Sequence, residues 1–232
     1  MYMHRPTGEY RILLYYDNWV SRSHGACYIF TLGSGQPPRD IGCPRETEQL
    51  YFIGEAVLLR GSLHWHIEKR VSERNMVLVF DTIAESFRQI RAPVVPGHAD
   101  LFEMDGMLGM YSFDDATTII DIWVLRDYER VVWAFKSRIE LPVEEIRVQC
   151  DMTQSRVQRD DRWHVVVPGG GELLVLVRFD KCLFQIDMDS KLVATSYHEQ
   201  LNLTNLRLKQ TLVPHTFFST LEGYVVNAPP FI

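Results

Sequence analysis

The chain has 232 residues, of which 46% are hydrophobic, and this is enough to bury the core of a single large β domain over residues 1–232. The formal net charge is −6, which argues against a surface built to bind nucleic acid or anionic lipid, since both need clustered lysine and arginine. The longest apolar runs are far shorter than the roughly 20 residues that cross a bilayer, and the start MYMHRPTGEY lacks the apolar stretch of a secretory signal. We therefore expect no membrane contact and a cytoplasmic and/or nuclear location.

The four cysteines are widely spaced, at positions 27, 43, 150 and 182, with no C-x-x-C pair. That spacing in a chain without a signal favours free thiols that are mostly buried, over a disulfide or a zinc site.

Short runs of β-branched and aromatic residues alternate with turns rich in Gly, Asp, Ser or Pro along the whole chain, a pattern typical of β-strands. The predicted strands are, in chain order, Tyr10–Tyr16, Ala26–Leu32, Glu55–Arg60, Ser62–Ile67, Met76–Asp81, Ser86–Ile90, Leu101–Met104, Met107–Ser112, Ile119–Leu125, Val131–Ile139, Trp163–Val167, Glu172–Phe179, Cys182–Asp187, Leu192–Ser196 and Gly223–Asn227.

The polar stretch 140–161 lacks clear periodicity and is predicted to be a long loop. Two segments, Val143–Cys150 and Glu199–Leu208, are ambiguous and could contain a helical turn.

Two strands show the alternation of half-buried antiparallel sheets. In the first, Leu63, Trp65 and Ile67 share a packing face, and Ser62, His64, His66 and Glu68 form the polar face. In the second, Trp133, Phe135 and Ile139 are expected to share a face, opposite Lys136 and Arg138.

A repeat of 45 residues supports blade-like units. It separates Gly61 from Gly106, each before a strand, and also Val79 from Val124. The next copies come later, near Gly171 and Ile186, so one insertion within 140–161 would explain both offsets. Periods near 45 residues are typical of propeller blades, so we predict antiparallel blade-like sheets in a β-propeller-like fold, whose blade count and closure the sequence leaves open.

Several segments together resemble the F-box-associated domain of plant F-box proteins, of the type found in grasses. They are Pro6–Leu13, Cys27–Ser34, Arg39–Gly42, Leu59–Trp65, Val79–Asp81, Phe87–Arg88, Leu101–Gly106, Asp121–Tyr128, Trp133 and Leu212–Phe218. The resemblance implies a protein-binding module that recognises the target of a cullin-based (SCF-type) ubiquitin ligase and does not catalyse a reaction. No F-box helices precede Tyr10, so adaptor binding is not expected, and the target protein is not named by the sequence.

The sharpest alternative is a metal-dependent enzyme or a small-ligand protein on a propeller-like fold, which would use the face of His64 and His66. His64 and His66, with Glu68 behind them, could project to one side of a strand and offer two nitrogens and one oxygen to a metal. The competing interpretation makes both histidines polar-face residues beside a structural Trp65, and we predict no cofactor. The adjacent carboxylates Asp114 and Asp115 flank a turn and are expected to be solvated.

Three aromatic residues in predicted loops, Trp19, Tyr128 and Phe217, are candidates for exposed anchors on a partner-binding surface. Packing beneath the loops is the alternative for each of them. A third reading of the whole chain is a structural remnant that has no partner.

Overall fold

The structure is a computed structural model, and it describes residues 1–18, 23–42, 51–52, 55–68, 75–153, 162–169, 174–197 and 203. These residues form four antiparallel sheets whose strands follow one another in chain order, which we call the first to fourth blades. The all-β prediction with blade-like sheets is confirmed.

The first two blades hold nine strands among the described residues. The first blade contains β1 (Tyr2–His4), β2 (Glu9–Asn18), β3 (Ser23–Thr31) and β4 (Arg39–Asp40). The second contains β5 (Tyr51–Phe52), β6 (Val57–Leu59), β7 (Ser62–Glu68), β8 (Met76–Asp81) and β9 (Ser86–Arg91), with both β5 and β6 paired to β7.

The third and fourth blades have four strands each among the residues that the structure describes. The third contains β10 (His98–Met104), β11 (Met107–Asp114), β12 (Ile119–Asp127) and β13 (Val132–Glu140). The helix α1 (Val143–Thr153) follows, and the fourth blade contains β14 (Trp163–Val166), β15 (Val175–Phe179), β16 (Cys182–Ile186) and β17 (Leu192–Tyr197).

The 45-residue repeat corresponds to a tight hairpin at the same place in two blades. Leu59 pairs with Ser62 and Met104 pairs with Met107, so each connection has two residues. Both connections, Arg60-Gly61 and Asp105-Gly106, have positive φ at both positions. This is the turn that matches the twist of a β-hairpin, and glycine adopts it without steric cost.

The wider hairpins are closed by aspartates at the ends of strands. The Oδ1 atom of Asp81 accepts hydrogen bonds from the backbone N–H groups of Ile83 and Ala84, at 2.8 and 2.9 Å. Asp127 caps the turn between β12 and β13 in the same way. These side chains satisfy backbone donors that no strand can pair, which fixes each turn locally.

The core lies in layers between neighbouring blades. Buried side chains of β7 and β8 meet those of the first blade, β8 and β9 meet β10 and β11, and β11 and β12 meet β15 and β16. Each fully buried aliphatic or aromatic side chain contributes about 1.5–3 kcal/mol. Because a blade has a neighbour on each side, both faces of a middle blade are apolar.

A β-bulge corrects the predicted face of β13. Ile122 pairs with Ser137 but Trp123 pairs with Phe135, so Lys136 is an extra residue without a partner. The extra residue reverses the alternation on one side of it. Phe135 therefore lies on the face opposite to Ile139, with Phe135 47% exposed and Ile139 fully buried.

The stretch 140–161 is not a loop throughout, because α1 occupies Val143–Thr153 and confirms the alternative of a helical turn at Val143–Cys150. The helix begins just after Pro142 and has Glu144 and Glu145 in its first turn, both favourable at a helix N-terminus. Ile146 and Cys150, one turn apart, are its buried residues that enter the core between the third and fourth blades. Few of the helix side chains that the structure describes face the core, so the helical period in the sequence is weak.

Most predicted strands are confirmed with ends that move by one to three residues. Three short strands, β1, β4 and β5, were missed because two or three residues carry no measurable alternation. The strand predicted at Gly223–Asn227 lies outside the described residues. Cys27, Cys150 and Cys182 are buried thiols outside any disulfide, as expected, and Cys43 lies outside the described part.

Candidate functional site

A cleft of about 440 Å³ opens beside β10 and β14, the first strands of the third and fourth blades. Its walls combine acidic, imidazole and aromatic side chains with aliphatic ones: Glu55, His98, Asp100, Tyr111, Phe113, Asp115, Trp163, His164, Val165, Val166 and Leu203. This volume falls within the range of about 300–1,000 Å³ that is usual for ligand sites.

Three carboxylates lie at different depths in the cleft. Asp100 is 4% exposed, Glu55 is half-buried and Asp115 is exposed. Among the lining residues that the structure describes there is no lysine or arginine, so this described part of the wall is acidic.

Glu55 has a carboxylate oxygen without a protein partner. Its Oε2 atom is buried and accepts no hydrogen bond among the described residues. Burial raises the pKa of Glu55 above the usual range, because little in the protein replaces the water that stabilises the charged form. A donor from outside the chain would satisfy this oxygen.

The aromatic walls are held in place by neighbouring residues. The hydroxyl of Tyr111 donates a hydrogen bond to the carbonyl oxygen of Val165, 3.0 Å away, and so joins β11 to β14. Trp163 stacks on Phe179 with ring centroids 4.3 Å apart. The cleft is thus largely preformed.

The acidic and imidazole groups do not converge on one point. No set of three or more His, Cys, Asp or Glu side chains within the described ranges is placed to hold a metal ion. The cleft has room for a ligand larger than a single ion.

A second cluster joins the second and third blades around His64 and Tyr128. His64 is fully buried, its Nδ1 atom lies 3.1 Å from the carbonyl oxygen of Val57, and its Nε2 atom lies 2.7 Å from the Tyr128 hydroxyl. A carbonyl can only accept, so Nδ1 carries the proton and Tyr128 donates to Nε2. Burial, helped by the charge of Arg88, lowers the pKa of His64 to about 4, which keeps the ring neutral.

Two guanidinium groups lie close to the ring of Tyr128. Arg60 and Arg88 each lie 5.2 Å from the centre of its ring, and Arg88 also donates a hydrogen bond to its hydroxyl at 2.9 Å. Both arginines are exposed, whereas Tyr128 is half-buried. The hydroxyl of Tyr128 is engaged inside the protein, and the two arginines are the exposed groups of this cluster.

The proposed metal set on β7 is wrong. Both nitrogens of His64 already have partners in the protein, and His66 is 3% exposed rather than on a solvated face. Ser62, His64 and His66 alternate correctly with Leu63 and Trp65, but their face is covered by the neighbouring blade. Burial lowers the pKa of His66 to about 4, and the nearby His98 adds to this effect.

Of the other residues singled out in the sequence, some lie outside the described part and some lie in turns or at the cleft. Trp19 and Phe217 lie outside the described residues. Asp114 caps its turn by accepting from the N–H of Ala116 and the hydroxyl of Thr117, and Asp115 is exposed at the cleft. Glu55, Asp100 and Trp163 were not singled out, because no spacing in the sequence connects three residues so far apart.

In the part of the chain that the structure describes, no helix is both long and apolar enough to cross a membrane.

Comparison with known proteins agrees with this architecture. The model of the F-box associated beta propeller domain family matches residues 5–167, from the first blade to the first strand of the fourth. The F-box protein At4g19940 of Arabidopsis thaliana is 25% identical over 96 residues, which are 40% of this chain and 23% of that relative. The match thus spans about a quarter of the relative's length. Because the family model covers well over half of the chain, the chain belongs to the F-box associated β-propeller domain family.

Proposed function

We propose that this domain is the target-recognition part of an F-box-type ubiquitin ligase subunit, and that it binds its target without catalysing a reaction. The family match over residues 5–167 carries the proposal. The name of the Arabidopsis relative supports it at the level of protein class. In this proposal the adaptor contact belongs to an F-box segment and to none of the residues described above, and the target is a protein of the cytoplasm or nucleus.

Two surfaces of the domain suit target binding. The cleft beside β10 and β14 is concave, and the described part of its lining combines aromatic and aliphatic walls with a few polar side chains, which are the features of a ligand-binding site. The exposed arginines around Tyr128 offer a second contact, because aromatic and arginine side chains are enriched among residues that dominate binding energy. The prediction that Tyr128 contacts a partner therefore becomes part of the proposal.

The test begins with the purified full chain as bait in a lysate of the source organism. Captured proteins are then produced separately and titrated against the chain by calorimetry, and the chain is fused to an F-box segment to measure the half-life of each binder in cells. We expect at least one protein to bind directly at a fixed stoichiometry and to be degraded faster in the presence of the fusion. Direct binding without faster degradation, or no direct binder at all, would contradict the ligase role, and the second result would favour a structural remnant.

A further inference from the structure

We propose that Arg60 and Arg88, beside Tyr128, bind an anionic side chain that the target protein presents, through the oxygens of a carboxylate or a phosphoryl group. The inference rests on the proposed function and adds the chemistry of this contact. Arg60 lies in the tight turn between β6 and β7, Arg88 lies on β9, and Tyr128 lies in the turn between β12 and β13. The packing of the second blade on the third brings these three residues together.

The two positive charges lie close to one point on the surface. The guanidinium carbons of Arg60 and Arg88 are each 5.2 Å from the centre of the Tyr128 ring, so at most twice that distance separates them. Both arginines are exposed, so a group on a partner can approach them. An anion in contact with both would be attracted by two charges that otherwise repel each other.

The carboxylates next to Tyr128 in the sequence do not neutralise these charges. Asp127 lies 3.8 Å from Arg130, and Glu129 is exposed. Within the residues that the structure describes, neither arginine beside Tyr128 forms an ion pair with a carboxylate. An anionic oxygen of another protein can therefore supply the negative charge.

Tyr128 holds one of the two guanidinium groups in place. Its hydroxyl accepts a hydrogen bond from Nη2 of Arg88 at 2.9 Å and donates one to Nε2 of the buried His64 at 2.7 Å. The bond to Tyr128 uses one of the five N–H donors of a guanidinium, so other donors can reach a ligand. Since this fork of donors matches the oxygens of carboxylate and phosphoryl groups and is held before binding, less conformational freedom is lost when an anion binds.

The experiment uses the full chain and four small probes at one ionic strength. Nα-acetyl-phosphoserine methylamide and Nα-acetyl-glutamate methylamide carry an anion, and the serine and glutamine analogues are neutral. Binding is followed by the NMR shifts of the Tyr128 ring C–H groups, which are assigned with Tyr128→Phe. We expect saturable shifts from the anionic probes, and the probe that binds more tightly identifies the ligand as a phosphoryl group or a carboxylate. Saturable shifts from a neutral probe, or none from either anionic probe, would overturn the proposal.

Variants separate local from general electrostatics. We expect Arg60→Gln and Arg88→Gln each to weaken binding of the anionic probes about fivefold, the loss typical of one favourable exposed charge pair. Arg147→Gln removes the same charge from an exposed position of α1 and should leave binding unchanged. Equal weakening by all three variants would reduce the effect to net charge and refute the site.

Folding does not limit this test, because both substituted arginines are exposed. Arg60→Gln remains informative if Arg88→Gln, which removes a hydrogen bond to Tyr128, destabilises the domain. If a captured target binds both variants as tightly as the parent chain and the probes leave Tyr128 unshifted, the anion site is wrong and the recognition role stands. If the anionic probes bind but no target is found, the anion site is supported and the recognition role fails.

Discussion

Lowering the pH from 7.5 to 5.5 should destabilise this domain through two buried histidines. His64 and His66 have a pKa of about 4 in the folded protein, against 6.5 in the unfolded chain. Below pH 6.5 the unfolded chain takes up protons at these rings and the folded protein does not, so stability is lost as the pH falls from 6.5 towards 4. At pH 5.5 the loss is about 1.4 kcal/mol for each ring, or about 3 kcal/mol together.

Titration of Glu85 and Glu55 does not account for a loss of stability between pH 6.5 and 5.5. Burial alone would raise the pKa of Glu85, but hydrogen bonds from Arg11 and Tyr2 lower it overall, so its contribution to stability is lost only below its unfolded value of 4.5. Glu55 works in the opposite direction, because its raised pKa favours proton uptake by the folded protein as the pH falls. The decline between pH 6.5 and 5.5 therefore belongs mainly to the histidines.

Urea unfolding followed by tryptophan fluorescence at the two pH values measures the effect. His66→Leu should remove about half of the pH dependence, since it removes one of the two rings and keeps an apolar side chain at a 3% exposed position. An unfolding free energy that is the same at pH 7.5 and 5.5 would show that the rings are protonated in the folded state and would refute the reasoning. His64 is a poorer choice for substitution, because its ring is hydrogen-bonded at both nitrogens.

Two further predictions concern single contacts. Tyr128→Phe should cost about 1–3 kcal/mol of unfolding free energy, because it leaves the buried Nε2 atom of His64 without a donor, whereas Tyr197→Phe at an exposed position should cost almost nothing. Gly97→Ala should cost more than about 3 kcal/mol, because its Cβ would lie 2.0 Å from a backbone oxygen of β11, and Gly8→Ala, also at positive φ but in open space, should cost about 1 kcal/mol.

Thermal and urea unfolding of the paired variants check both predictions. Equal losses for the two tyrosine variants would mean that the hydrogen bond between Tyr128 and His64 contributes nothing to stability. Equal losses of unfolding free energy for the two glycine variants would be explained by their positive φ alone. That result would contradict the close approach of Gly97 to the backbone of β11.

The local features of this fold were predictable from the sequence. Strands such as β8 were placed with both ends correct, and the 45-residue step located the tight turns at Gly61 and Gly106, because residues adjacent in the chain decide both. The resemblance to the F-box-associated family was recognised from the order of such segments and is confirmed by the family match.

The faces of the strands were harder to predict. His64 and His66 alternate with Leu63 as expected, yet they are buried, because the next blade covers the second face and no local pattern reports the neighbour. The bulge at Lys136 places Phe135 and Ile139 on opposite faces of β13. The sequence of β13 alone does not show this bulge, because its position depends on the pairing with the partner strand.

The strands, most of the hairpins and the family could be predicted from the sequence, because they depend on short-range alternation and on turn residues. The burial of particular polar side chains, the packing of α1 and the meeting of Glu55, Asp100 and Trp163 in one cleft follow from the packing of the blades. The physical reason is distance along the chain: these residues are separated by tens of positions, and only the packing of one blade on the next brings them together.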